Sequence, residues 1–402
     1  MIAKRFACLV LFALSACSTT EEQVVDLLEQ MAAHPIDSPG WQQAVDNLST
    51  IGRPAARQLI ARLNPDLYLG EDYREFRQEH EQLRTGCAMA LGRIQPRGAT
   101  AALNARISAA YTDNERIACL WAIGQIGYSQ AGLDAAKAQL KDLDPVIRTH
   151  AAITIVKMDD NLGDSQIEAA FSDPQLAPIA LQGLQESGYF GVPLLMRLNT
   201  HGGPQHQGLQ QVITTVTDQL VTQLSAEEPI HRQRAARALG QIGEQEPAKA
   251  LAQLLTDPSN QVRFSAAAAL ATLGQTQGID FLFDALRNTD SILRANAVKF
   301  LTAVQSQSGS VEQQLIDALV TTDPLARAGA AQVLGQAQVQ TALAALIKAT
   351  EDSAAEVRVN AIIALGQIGA GQSRTRLESL CTDDDASVSY YAEWALSQLG
   401  PS

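Results

Sequence analysis

Cysteine thiols are the groups of this 402-residue chain best suited to covalent chemistry, because a thiolate is a strong nucleophile and metal ligand. The five cysteines are Cys8, Cys17, Cys87, Cys119 and Cys381. Cys87 and Cys119 occupy equivalent positions of a repeat described below, where packed helices place them about 8–10 Å apart, beyond the roughly 7 Å limit for a disulfide. We therefore predict two buried thiols without a disulfide. Cys381 is the alternative candidate for a reactive or intermolecular thiol.

Histidines and acidic clusters offer little for a metal centre. His201 and His206 share a loop, but no carboxylate or cysteine lies close enough in sequence to complete the ligand set. Asp383, Asp384 and Asp385 lack the spaced oxygen ligands of a calcium loop and predict a helix N-terminus, where carboxylates interact favourably with the helix dipole. The sequence also has no GxSxG, phosphate-binding glycine loop or HExxH segment. We predict no metal, no cofactor and no enzymatic activity.

The N-terminal residues have the composition of a secretory signal peptide. Lys4 and Arg5 form a charged start, and residues 6–16 are apolar and end in small side chains. This apolar stretch is far shorter than the roughly 20 residues that cross a bilayer as a helix. We therefore expect export and cleavage, not a membrane-spanning helix.

The signal ends in Leu14, Ser15, Ala16 and Cys17, which resembles the lipobox of bacterial lipoproteins. The resemblance implies cleavage before Cys17 and attachment of a diacylglycerol to its thiol. Two or three acyl chains anchor a protein stably, since each buried methylene contributes about 0.8 kcal/mol. Ser18 stands where an aspartate favours inner-membrane retention in Gram-negative lipoproteins. The resemblance therefore implies an envelope protein on the outer membrane that faces the periplasm.

Arginine marks a repeat that returns about every 31 to 33 residues from residue 82 onward. Ala177 and Ser389 continue the register where arginine is absent. A column of arginines could bind anions, but acids four positions earlier, such as Asp144 before Arg148, favour structural pairing within the helix or with the next repeat. The marker arginines are Arg84, Arg116, Arg148, Arg232, Arg263, Arg294, Arg327 and Arg358.

Two apolar columns follow each marker. The side chain three residues later is always alanine or cysteine, and the one seven residues later is always leucine or isoleucine. Because these positions share one face of an α-helix, the columns predict the packed stripe of a recurring helix. Glycines such as Gly243 indicate where this helix ends. Asp-Pro pairs, which suit a helix N-terminus, predict its start near Asp144, Asp173, Asp257 and Asp323.

A shorter amphipathic helix precedes each Asp-Pro pair, for example over residues 248–255. Each repeat is then a helical hairpin that buries its apolar face only by stacking on its neighbours. This unit resembles the HEAT-like repeat, especially the short variety named after the phycobilisome lyases. The resemblance implies an all-α fold, an α-solenoid (superhelix) of HEAT-like hairpins. It implies no bilin chemistry, because no bilin-handling residue can be carried over.

The repeat register predicts four parts of the chain. Thr20 and Gln23 form a capping box that predicts a helix soon after the anchor. The loop at residues 200–208 and the charged segment interrupt the rhythm, and such interruptions sometimes form binding sites. The parts are the signal peptide at 1–16, an N-terminal helical cap at 17–63, a charged connecting segment at 64–81, and the solenoid at 82–402 with about ten repeats, degenerate near 177–230.

The charge of the chain limits its partners. The formal net charge is −13 and becomes −15 when Lys4 and Arg5 leave with the signal peptide, so phosphate backbones are repelled and nucleic acid is not expected as a partner. We predict a lipid-anchored envelope scaffold or adaptor that binds a protein or peptide through its repeat surface.

The alternative is an enzyme or enzyme accessory subunit of the HEAT-repeat lyase or metal-dependent hydroxylase type. Among HEAT-like proteins, the deoxyhypusine hydroxylases bind two irons through several His-Glu pairs on successive repeats. This chain has His80-Glu81 as its only such pair. One pair cannot build that site, so the resemblance favours the scaffold.

Overall fold

The computed structural model describes residues 19–64, 77–110, 112–201 and 205–400. Within these ranges the regular structure is helical, without a strand, and the predicted all-α solenoid fold is confirmed. None of the described helices is both long and apolar enough to span a membrane. Residues 14–17 of the lipobox and most of the charged connecting segment lie outside the described ranges.

Helices joined by short loops follow one another along the described residues. Short 3-10 turns extend several of them, for example at residues 188–190 and 371–373. The α-helices are α1 (Thr20–Ala33), α2 (Pro39–Ile51), α3 (Arg53–Arg62), α4 (Arg77–Ile94), α5 (Thr100–Ala109), α6 (Asp113–Ile126), α7 (Gln130–Gln139), α8 (Pro145–Lys157), α9 (Asp164–Ser172), α10 (Ala177–Glu186), α11 (Val192–His201), α12 (His206–Gln223), α13 (Pro229–Ile242), α14 (Ala248–Gln253), α15 (Asn260–Thr272), α16 (Thr276–Leu286), α17 (Ser291–Ser308), α18 (Glu312–Ala318), α19 (Pro324–Gln336), α20 (Leu343–Ala349), α21 (Ala355–Ile368), α22 (Arg374–Leu380) and α23 (Ala386–Gln398).

The chain forms two compact units, residues 1–213 and 214–402. We call the helices that contain the repeat markers second helices. In each unit a second helix packs against the preceding first helix of its hairpin and against the second helix of the next hairpin. The second helices are α4, α6, α8 and α10 in unit 1, and α13, α15, α17, α19, α21 and α23 in unit 2. The interval between Ala177 and Arg232 also contains α11 and α12, neither of which has a marker arginine.

The N-terminal helices pack directly onto the first repeat. Helix α1 starts at a capping box formed by Thr19 and Glu22, one residue earlier than the predicted Thr20 and Gln23. Helix α2 begins after its N-cap Ser38 and reaches α4, because the indole Nε1 of Trp41 donates to the Gln82 carbonyl at 3.0 Å. One buried apolar core therefore continues from α1 into the repeats of unit 1.

The two apolar columns form the core, as the sequence predicts. All ten side chains three residues after the markers are at most 1% exposed. Nine of those seven residues after the markers are also at most 1% exposed, and Leu396 in the last helix is half-buried. Small side chains let successive second helices approach, while the large ones fill the space between them.

The predicted helix starts are right at two Asp-Pro pairs and wrong at two. Asp144 and Asp323 are N-caps whose carboxylates accept from the backbone N–H two residues later. At Asp173 and Asp257 the helix begins later, at Ala177 and Asn260. These two carboxylates instead accept from a backbone N–H within the preceding turn, which delays the first helical residue.

A glycine column, which the sequence analysis overlooked, sets the closest approach of the second helices. A Cβ atom added to Gly335 would lie 2.5 Å from the Cα atom of Ala364 on the next second helix, and one added to Gly240 would lie 2.8 Å from that of Ala269. No side chain larger than hydrogen fits such spacing without a shift of the backbone. The column stands eight residues after the marker and comprises Gly92, Gly124, Gly240, Gly335 and Gly366.

Candidate functional site

The marker arginines hold the turn that precedes their own helix. The Nη1 group of Arg148 donates to the carbonyl oxygens of Asp142 at 2.7 Å and Leu143 at 2.9 Å, six and five residues earlier. The same pair of bonds recurs at Arg232, Arg263, Arg294, Arg327 and Arg358. Each marker in this set therefore ties its helix to the loop before it.

Several markers also bind an aspartate of the next hairpin, and we call these links the arginine ladder. Arg232 donates from Nε and Nη2 to both carboxylate oxygens of Asp257, at 2.8 and 3.1 Å. Arg327 binds Asp352 in the same two-pronged way, at 2.6 and 2.8 Å. Arg116 pairs with Asp142 and Arg358 with Asp383. The ladder thus braces successive repeats, one of the two arrangements that the sequence left open.

The ladder lowers the pKa of several of its carboxyl groups and includes four of the eight marker arginines. The hydrogen bond from Arg232 lowers the pKa of Asp257, and the bond from Arg327 lowers that of Asp352. The backbone N–H of Asp385, followed by Arg358, lowers the pKa of Asp383. The i,i+4 partner Asp144 caps its helix and does not pair with Arg148. Anion binding along the whole column is therefore disfavoured.

The first marker belongs to a buried charge cluster that the sequence analysis missed. Arg84 and Arg106 both contact the carboxylate of Glu115, and all three side chains are at most 1% exposed. Arg106 extends from α5 and Glu115 from α6, so the cluster joins α4 to the next hairpin. A glutamate one residue before the marker Arg116 was its only signal in the sequence. The cluster lies in the interior, so its charges stabilise packing and do not face a ligand.

The three described cysteines have free thiols, as predicted for Cys87 and Cys119. Burial raises the pKa of Cys87 to about 12 and that of Cys119 higher still, so neither forms a thiolate near neutral pH. Cys381 is half-buried and its thiol donates to the Leu377 carbonyl at 3.5 Å. Burial raises its pKa also, which argues against an activated nucleophile at this position.

The described histidines belong to no metal-binding group. No group of three or more His, Cys, Asp or Glu side chains within the described ranges is arranged to hold a metal ion. Burial lowers the pKa of His150, on α8, and of His80, on α4, so both favour the neutral form. The aspartates at 383–385 precede α23, where Asp385 is the N-cap as predicted.

An open groove of about 410 Å³ crosses the second helices of unit 1. Its floor is apolar and aromatic, and the sequence analysis did not identify it. The side chains come from successive helices, so that stacking alone brings them together. The main contributors are Trp41 on α2, Met89 on α4, Ile117 and Trp121 on α6, Ile153 on α8, and Ile179 on α10. We call this surface the unit 1 groove.

A third column of the repeat contains the signal for this groove. Five residues after the marker stand Met89, Trp121 and Ile153 in consecutive second helices of unit 1. The same column reads Arg237, Ala268, Lys299, Gln332, Ile363 and Trp394 in the second helices of unit 2. Three consecutive large apolar side chains therefore fill it in unit 1, where Met89 and Trp121 are only partly buried and are available to an apolar ligand.

Glu186 closes one end of the unit 1 groove and links three of its helices. Its carboxylate accepts from Nζ of Lys157 at 2.9 Å, from Nε1 of Trp121 at 3.0 Å and from Nε2 of Gln182 at 3.0 Å. Desolvation opposes its ionisation, but the Lys157 charge and these three donors lower the pKa of Glu186. The groove lining contains two carboxylates, Asp37 and Glu186, and no lysine or arginine.

Several solved structures are similar to this chain at low sequence identity. No curated protein matches this chain. Among solved structures, an engineered protein is 20% identical over 94% of this chain and 99% of its own, with a TM-score of 0.30. Human deoxyhypusine hydroxylase is 22% identical over 66% of this chain and 95% of its own, with a TM-score of 0.26. A mutant of the karyopherin Kap121p is 13% identical over 95% of this chain and 45% of its own, with a TM-score of 0.40.

The sequence model described as HEAT repeats matches residues 217–302 and 312–397. These two stretches cover the second helices from α13 to α23 and their partners in unit 2. The marker, the small column and the large column continue through unit 1 in the same order. The resemblance to HEAT repeats seen in the sequence is therefore confirmed for these two stretches of unit 2.

Proposed function

We propose that this chain is a lipid-anchored scaffold of the cell envelope that binds a protein partner through the unit 1 groove. HEAT-repeat solenoids offer extended surfaces to other proteins, which makes them protein-binding scaffolds. The observation that carries the proposal is the apolar run of Met89, Trp121 and Ile153 in three consecutive second helices, which lines an open groove.

The chemistry of the groove favours an extended segment with large apolar side chains and at least one basic residue. Trp41 and Trp121 supply flat aromatic surface, which is a common anchor in protein interfaces. Asp37 and Glu186 supply negative charge, and the Lys157 ammonium is already engaged by Glu186. A basic residue of the partner would therefore meet the Asp37 carboxylate and the aromatic faces, since Glu186 is already paired with Lys157.

Attachment to the membrane rests on Leu14 to Cys17, which precede the described residues. The lipobox resemblance supports a lipid on Cys17 and, with Ser18, the periplasmic face of the outer membrane. Helix α1 begins at Thr20, so the first hairpin would stand next to the lipid. The groove would then lie close to the anchored end, because its first helix is α2.

Site-specific photocrosslinking in the native host tests this function. A photoreactive residue at Met89, inside the groove, is expected to trap one defined envelope protein. The matched control is Leu143, which is 95% exposed in the same unit but outside the groove. The trapped protein should disappear when Ile153 is also changed to Asp. Equal trapping from both positions, or trapping that Ile153→Asp leaves intact, would show that the groove is not the binding surface.

A further inference from the structure

Arg294 lacks the aspartate partner that the ladder arginines have, as do Arg148 and Arg263 among the described markers. Its Nη1 group donates to the carbonyl oxygens of Asn288 at 2.7 Å and Thr289 at 2.9 Å, so the side chain is held in the same way as its equivalents. In Arg232 and Arg327 the opposite edge, formed by Nε and Nη2, binds an aspartate. No carboxylate of the described residues pairs with Arg294.

Thr321 explains why Arg294 has no aspartate partner where Arg232 and Arg327 have one. For Arg148 and for the markers from Arg232 to Arg358, the residue six positions earlier accepts from the marker through its carbonyl oxygen. Where that residue is aspartate, its carboxylate pairs with the preceding marker. Asp352 does both, for Arg358 and for Arg327. At the corresponding place before Arg327 stands Thr321, whose carbonyl oxygen accepts at 2.8 Å but whose side chain has no carboxylate. The repeat therefore lacks the internal acid that would bind the second edge of Arg294.

A cleft opens beside this arginine in unit 2. It measures about 380 Å³ and lies between α17 and α19, with Arg294, Lys299 and Thr302 on its α17 side. Thr302 occupies the position of the glycine column, so α17 cannot approach its neighbour as closely as Gly335 allows α19 to approach α21. The substitution of glycine by threonine thus gives a physical reason for the cleft at this step of the solenoid.

The charges of the cleft favour an acidic ligand at the Arg294 end. Arg294 and Lys299 lie one turn and a half apart on α17, while the carboxylate of Glu356 comes from α21 on the far side. Gln332 on α19 adds an amide that can donate a hydrogen bond. A guanidinium edge with a neighbouring ammonium is well suited to a carboxylate, since paired N–H groups match its two oxygens.

We propose that this cleft binds an aspartate or glutamate side chain of a protein partner. That carboxylate takes the place on Arg294 that Asp257 takes on Arg232 and Asp352 on Arg327. The partner thereby supplies the carboxylate that Thr321 does not, at a step of the solenoid where a cleft lies beside Arg294. This binding does not depend on the unit 1 groove, because the two sites share no residue.

Fluorescence anisotropy with a labelled peptide tests the proposal on the full chain. The probe is a ten-residue peptide of alternating Asp and Ala with an amidated C-terminus. Arg294→Gln is expected to weaken its binding at least about tenfold, the scale of one charge-assisted pair. Arg263→Gln, which removes the equivalent loop hydrogen bonds outside the cleft, should change binding less than about twofold. Equal losses in the two variants, or equal binding of an Asn-Ala peptide, would overturn the proposal.

Thr321→Asp tests the same site by restoring the missing acid. The new carboxylate should bind Arg294, abolish capture of the Asp-Ala peptide and raise the Tm by about 2–4 °C. Thr321→Asn, which has the same shape without the charge, should keep peptide binding. Full binding by Thr321→Asp would contradict the proposal. Tighter binding of a neutral peptide with a free C-terminus would assign the site to a terminal carboxylate and would also contradict it.

Discussion

The effect of a charged residue on the stability of this protein depends on how deeply its side chain is buried. Glu115 is fully buried and contacts two guanidinium groups, whereas the pair of Arg93 and Asp46 is 40% and 56% exposed. Removal of one member of a buried charge cluster leaves the others in a medium that solvates them poorly. Exposed pairs are screened by water and contribute little. The same type of ion pair should therefore have very different effects on stability at the two depths.

Glu115→Gln is expected to lower the free energy of unfolding by about 3 kcal/mol, because Arg84 and Arg106 lose the carboxylate that both contact. Urea unfolding followed by circular dichroism measures the change. Asp46→Asn is the matched control and should cost less than about 1 kcal/mol. Comparable losses in both variants would mean that the buried cluster does not support the packing of α4 on the next hairpin.

The arginine ladder has a defined pH dependence. Asp352 has a folded-state pKa below its unfolded value of about 3.9, chiefly because Arg327 donates to it. Its contribution is therefore complete above the unfolded pKa and is lost as the pH falls through the folded pKa. The stability difference between the native chain and Asp352→Asn should be constant from pH 7 to about pH 5 and shrink below about pH 4. Urea titrations at these pH values check this, and a difference that grows in acid would contradict it.

At the scale of the element, some features of the second helices depend on a single helix and others depend on its neighbours. Their apolar columns and several glycine C-caps could be predicted from the sequence, because both depend on residues within one helix. For the arginine ladder only the arginine column could be predicted from the sequence, because the acid that binds Arg232 is Asp257 of the next hairpin. The glycine column was overlooked for the same reason. Gly335 has an ordinary helical conformation within α19. Its lack of a side chain matters only because Ala364 of the next second helix packs against it.

Gly335→Ala should destabilise unit 2 by about 1–3 kcal/mol although alanine favours the helix, because its Cβ atom would collide with the backbone of α21. Gly371→Ala is the control, since a Cβ atom there meets nothing within 4 Å. Thermal unfolding monitored by circular dichroism compares the two. An unchanged or higher Tm for Gly335→Ala would show that α19 and α21 can separate without cost.

For the whole molecule, the sequence predicted the fold class better than the candidate site. The repeat columns specify stacked hairpins, and the HEAT family match agrees. The unit 1 groove was not foreseen, because Trp41, Trp121 and Ile179 are far apart in sequence and meet only when five helices are stacked. Periodicity alone also does not distinguish a partly exposed apolar column from a fully buried one.

The proposed lipid anchor determines where the whole molecule is located. Cys17→Ala should leave the protein unmodified and release it from the membrane fraction, because no acyl chain would then hold it. Membrane fractionation with detection of the acylated N-terminus measures this. Cys381→Ala serves as the control, since that thiol lies on unit 2 with a raised pKa and should not affect membrane association. A membrane-bound Cys17→Ala protein would refute the lipobox assignment.

Two of the three tryptophans of the chain, Trp41 and Trp121, line the unit 1 groove, and the third, Trp394, lies in the last helix. The indole N–H of Trp121 points to the Glu186 carboxylate, which makes its excited state sensitive to any change at that end of the groove. Intrinsic emission is therefore a built-in optical reporter. A bound partner should shift or quench the native chain's fluorescence without any added dye, and with Trp121→Phe most of that signal should vanish.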